Sequence, residues 1–208
     1  MRLPVVGGVM FALTVIACSN SMTSPTTTST TSTPPPTTPT GTMPAATNAT
    51  LNVMLKDGPF VDAKALLITF SNVSAHLSGG DFTSLPFVGG ASSRTCDLEK
   101  LTTAQEVLGT GPLPAGHYTQ IRLVVTNATI YFDNASTGAA CSTTVAAPAG
   151  RNAAVTIPSG EVKLNREFDL MATNATTMLL DFDGDQSIKE TGNGRYMMSP
   201  VINIVSVQ

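Results

Sequence analysis

Three aspartates at alternate positions in the stretch DFDGDQS, Asp181, Asp183 and Asp185, are the side chains of this chain whose spacing could do chemistry. Hard cations such as calcium take several oxygen ligands, and alternating carboxylates in a tight loop can supply them. The EF-hand pattern is not met: Gly184 comes two positions too early, and Gly192 stands where the bidentate glutamate belongs. If Asp181 and Asp183 lie in a strand, they share one face and can be solvated or paired with a cation. A calcium-dependent binding module is therefore an alternative reading, and no other cofactor is expected. His76 and His117 are the only histidines, and neither belongs to H-E-x-x-H. No G-x-S-x-G supplies a nucleophile elbow. GPLPAGHYT has two glycines at phosphate-loop spacing but lacks the Lys-Ser/Thr such a loop requires. A second alternative, an envelope hydrolase, would need His117, Asp57 and a carboxylate to cluster. No catalytic residue is assigned, and no enzymatic activity is expected.

Three cysteines are present, and the first stands apart. Leu3 to Ala17 is apolar apart from Thr14 and follows a single positive residue, Arg2. That run is shorter than the roughly 20 residues a membrane-spanning helix needs and fits the core of a signal peptide. Its last residues with the cysteine, Val15-Ile16-Ala17-Cys18, resemble the lipobox of bacterial lipoproteins. The resemblance implies removal of residues 1–17 and lipidation of Cys18 on its sulfur and its new amino terminus. More than one acyl chain is what stable anchoring requires, since a single chain binds only marginally. Ser19 and Asn20 follow, with no aspartate beside the cysteine, which by resemblance to proteobacterial lipoproteins implies the outer membrane. The alternative is an ordinary cleaved signal with Cys18 incidental.

Residues 18–48 form a Thr/Pro/Ser-rich tract with no charge and no apolar period. Such a segment cannot bury enough surface to fold and reads as a disordered stalk. Pro34, Pro35 and Pro36 favour the extended polyproline form. The remaining pair, Cys96 and Cys141, reads as a disulfide in an exported, oxidising setting, with two free thiols as the alternative. Neither lies in C-x-x-C.

The 208 residues carry a net charge of −3 with 12% charged side chains and no tryptophan. Nucleic acid demands clustered Lys and Arg, so it is not an expected partner. The expected partners are a membrane, through the lipid, and a protein or glycan of unknown identity.

The elements that must position these residues are strands. LNVMLKDGP alternates Leu51, Val53 and Leu55 against Asn52, Met54 and Lys56 before a turn at Asp57-Gly58-Pro59. AKALLITFSNVSAHL continues less cleanly, and HYTQIRLVVTNATIYF, TTMLLDFDGD and MMSPVINIVSVQ read as further strands. CDLEKLTTAQEVLG looks locally helical, with Leu98, Leu101 and Val107 at helical spacing. Residues 49–208 are therefore expected to be an all-β antiparallel sandwich, immunoglobulin-like or transthyretin-like, with one short helix.

The order LKDGP, CDLEKLTTAQEVLGTGPLPAGHYTQIRLVV, VTIPSGEVKLNREFDL, TTMLLDFDGDQSI and GNGRYMMSPVINIV resembles domain-of-unknown-function family 4382, found mainly in bacterial exported lipoproteins. The resemblance spans nearly all of residues 50–207 and departs at CSTTVAAPAGRN. Its most specific piece is LPAGHYTQIRL. Pro114 and Gly116 set a tight turn, and Tyr118 just inside the next strand can return its hydroxyl to the preceding backbone. Period-two alternation places Tyr118, Gln120, Arg122 and Val124 on one face, with Asp181 or Asp183 as the expected partner of Arg122. The whole chain thus reads as an envelope lipoprotein whose folded part does structural or recognition work.

Overall fold

The structure, a computed structural model, describes residues 48–58 and 62–208. The expected signal segment, Cys18 and the expected stalk up to residue 47 lie outside the described residues; Asn48, expected to end the stalk, instead begins the first strand, paired with Pro114. The fold is a two-sheet β architecture, mostly antiparallel, with a single short α-helix. One sheet has four strands in the order β13 (Ile202–Val207), β10 (Ala175–Asp183), β1 (Asn48–Gly58), β5 (Glu106–Pro114). The other has nine and is built on two long strands, β2 (Ala65–Leu77) and β6 (Gly116–Tyr131).

These two strands are long enough for each to serve two partners on its outer edge. β2 pairs along one side with β6, while its first half takes β4 (Arg94–Asp97) and its second half takes β3 (Phe82–Leu85). β6 likewise pairs β9 (Glu161–Leu170) at its start and β8 (Asn152–Thr156) at its end. β7 (Cys141–Ser142) extends the sheet beyond β4. The hairpin of β11 (Ile188–Gly192) and β12 (Arg195–Met198) extends it beyond β8.

Alternation places the core where the sequence puts its aliphatic residues. In β1, Ala49, Leu51, Val53 and Leu55 face inward, and in β10 Met178, Leu180 and Phe182 do the same. They meet Leu66, Ile68, Phe70 and Val73 of β2 and Ile121, Leu123 and Val125 of β6 in one apolar cluster. The untidy alternation of β2 has a physical cause. Ser71 is an extra residue against β6, so the inward set changes from Leu66, Ile68 and Phe70 to Val73 and Ala75 across the bulge.

Two features differ from the sequence expectation. β1 and β10 run parallel, as do β8 and β12, within an otherwise antiparallel fold. The segment Cys96–Gly109 is not an α-helix. It gives the end of β4, one 3-10 segment at Leu98–Thr102, and then β5. Leu98 and Leu101 are buried beneath that turn, so one turn of helical spacing sufficed to bury both. The short α-helix, α1, is Gly184–Ser187, following β10.

Candidate functional site

The turn LPAG and the tyrosine behind it form a closed structural unit. Gly116 has φ 157°, and a Cβ there would lie 2.9 Å from the Leu77 Cδ1. The Tyr118 hydroxyl donates to the Pro114 carbonyl at 2.8 Å, and its ring stacks on Phe168 at 5.4 Å. Burial pushes the phenol above its ordinary value of 10.0. Tyr118 does not share a face with Gln120 and Arg122. Thr119 is bulged against β2, and Arg166 and Glu167 of β9 together oppose it, so Tyr118 turns into the core beside Ile121.

Arg122 is not paired with Asp181 or Asp183. It lies over the Phe82 ring at 3.8 Å, with Glu161 3.9 Å from its Nε. β6 belongs to the nine-stranded sheet and β10 to the other, which separates Arg122 from both aspartates. Asp181 instead pairs with Lys56, its register neighbour across the parallel ladder, at 2.7 Å. Asp183 caps α1 by accepting from the Gln186 N–H at 2.9 Å, and Asp185 is exposed in α1. Among the described residues no set of three His, Cys, Asp or Glu side chains converges as a metal site, and these three aspartates do not.

A disulfide joins Cys96 and Cys141, which are register partners of β4 and β7. Beside it lies a polar node whose role the sequence did not suggest. Asp97 is fully buried and accepts from the Leu66 N–H at 3.0 Å, the Glu99 N–H at 3.3 Å and the Ser136 hydroxyl. One carboxylate thereby ties β2, the 3-10 turn and the loop before β7.

His117 and Asp57 do not meet. His117 sits at the start of β6 with Asp169 2.9 Å from its Nδ1. Asp57 lies near the far end of β1, nine residues from Asn48, whose register partner is Pro114. At about 3.3 Å per residue that is roughly 30 Å along the strand.

Asp57 continues the inward period of Leu51, Val53 and Leu55, so its carboxyl lands on the core face and is only 4% exposed. Its Oδ1 accepts from the Gly184 N–H at 3.1 Å, while Oδ2 is buried without a hydrogen bond. Desolvation, opposed by the Gly184 hydrogen bond and reinforced by Glu99 and Asp181, pushes its pKa to about 8. At neutral pH this carboxyl is protonated.

Beyond Asp57, the ends of several elements frame two clefts. Phe132, just past β6, and Tyr196 of β12 pack with ring centroids 5.6 Å apart at 42°, and both rings line both clefts. One cleft, of about 440 Å³, is completed by Asp62, Asp185, Ile188 and Glu190. The other, of about 410 Å³, is completed by Arg151, Asn152, Ala153 and Gly194. The sequence shows the two aromatics 64 positions apart, and only the β6–β8–β12 ladder brings them together.

Residues 48–200 match the family model described as "Domain of unknown function (DUF4382)", and the chain belongs to that family. The chain matches no curated protein and no solved structure. Among the described residues no helix is long and apolar enough to cross a membrane.

Proposed function

We propose that this member of the family is a bacterial envelope lipoprotein, held at a membrane by lipid on Cys18. Its β domain does structural or recognition work without chemistry of its own. The reading is carried by the sequence Val15-Ile16-Ala17-Cys18, set between an apolar run and a charge-free Thr/Pro tract. Acyl chains on one residue anchor a protein stably when more than one is present, and an extended tract holds the folded part away from the bilayer. Ser19 and Asn20 after the cysteine favour the outer membrane.

The polar groups that the sequence singles out as chemical candidates lie apart in the folded part, in keeping with this reading. His117 is held by Asp169, Asp181 by Lys56, and Asp183 by its own helix, each at a separate place. Fractionation of cells producing the intact chain tests the proposal. The wild type should require detergent for release, and Cys18→Ala should appear without it. Detergent-dependent release of Cys18→Ala would contradict lipid anchoring.

A further inference from the structure

The cleft bounded by Phe132, Tyr196 and three carboxylates has a chemistry that selects its ligand. Its volume of about 440 Å³ lies within the range of small-molecule sites, roughly 300–1,000 Å³. Two aromatic rings form one wall and Ile188 supplies further apolar lining. Aromatic faces carry the negative side of a quadrupole and attract cations placed over them. The remaining lining groups, Asp62, Asp185 and Glu190, are all acidic.

Charge compensation separates this cleft from the one behind the rings. There Arg151 lies 5.8 Å from the Phe132 ring, and Asp133 neutralises it through bonds of 3.0 Å to Nε and 2.7 Å to the backbone N–H. The acidic cleft has no such internal partner. Among the described residues, no Lys, Arg or His forms an ion pair with Asp62, Asp185 or Glu190. Glu190 is held in place by accepting the Gly194 N–H at 3.0 Å within its own hairpin. Uncompensated like charges in a walled depression concentrate a negative potential. A small hard metal ion does not fit, because these carboxylates do not converge as a ligand set. A cation that is broad, weakly hydrated and able to lie against rings does fit.

We propose that the cleft of Phe132, Tyr196, Asp62, Asp185 and Glu190 binds an organic cation, a guanidinium or alkylammonium group. The group lies on the Phe132–Tyr196 wall with its charge met by the three carboxylates. The inference deepens the proposed recognition role by naming the chemistry recognised, and it does not depend on the anchor. A broad, weakly hydrated cation of this kind can be the guanidinium of an arginine side chain or the head of a quaternary ammonium compound.

Titration of the full chain with blocked arginine amide and, separately, with tetramethylammonium distinguishes these sources, with ring resonances of Phe132 and Tyr196 as the readout. At least one probe should shift both rings saturably, and the more strongly bound one identifies the head. Blocked citrulline, isosteric with arginine but uncharged, should leave both rings unmoved. Asp185→Asn with Glu190→Gln keeps shape and the Gly194 contact, and should weaken binding by about tenfold or more at low salt. Tyr196→Ala should abolish it. The proposal is overturned if neither cation gives saturable shifts, if citrulline binds as well as arginine, or if the double amide variant binds unchanged. A negative titration with membrane fractionation intact would remove this inference and leave the anchor standing.

Discussion

The buried carboxyl of Asp57 makes stability depend on pH in a direction opposite to that of most aspartates. Its pKa rises from an ordinary 3.8 to about 8 in the folded chain, chiefly through desolvation. Between those values the native state holds a proton that the unfolded chain has released. Stability therefore falls as pH rises through that window and levels off above it. One proton is worth about 1.4 kcal/mol per pH unit, so the loss from pH 5 to pH 8 is on the order of 4 kcal/mol. Asp57→Asn retains an oxygen for the Gly184 N–H and carries no charge to desolvate. Urea denaturation of both proteins from pH 4 to pH 9 isolates the contribution, because titrating groups that do not interact with Asp57 cancel in the difference. The variant should gain on the wild type steadily as pH rises, by on the order of 4 kcal/mol of unfolding free energy between pH 5 and pH 8. A difference between the two proteins that stays constant across pH would refute the reasoning.

Two further outcomes are expected from the polar node and its neighbouring disulfide. Asp97→Ala leaves the Leu66 and Glu99 N–H groups and the Ser136 hydroxyl without their acceptor and should destabilise the fold by about 3 kcal/mol or more in urea denaturation. Asp97→Asn, which preserves an acceptor, should cost less; equal costs would contradict the account. Replacing Cys96 and Cys141 together by Ser opens a loop spanning a sequence separation of 45. In the chain-entropy view that should lower stability by about 4 kcal/mol in the same assay, and an unchanged midpoint would argue against the bridge.

The part of the fold that could be read from the sequence was the part governed by local period. Leu51, Val53 and Leu55 announce β1 because a half-buried strand repeats every two residues. The same period carried one step further puts Asp57 on the core face, a signal present in the sequence whose consequence appears only once β10 and α1 close over it. Bulges were not legible. Ser71 in β2 and Thr119 in β6 are ordinary strand residues by type, yet each offsets the alternation of its strand, and the second sends Tyr118 inward. Leu98 and Leu101 share one turn of helical spacing, which a 3-10 segment meets as well as an α-helix does. Partnerships across the chain were beyond local pattern: Arg122 rests on Phe82 from a separate hairpin, and the parallel pairing of β1 with β10 hands Asp181 to Lys56. The Phe132–Tyr196 cleft is likewise a product of strand order, assembled from β6, α1 and the β11–β12 hairpin.

The central claim is that this β domain reaches its place of work through lipid on one cysteine. Intact-mass and peptide mass spectrometry of protein isolated from its native membrane reads that residue directly. The account predicts a chain beginning at Cys18 and carrying a diacylglyceryl group with an acylated amino terminus. A free thiol at Cys18, or a chain still retaining residues 1–17, would contradict it.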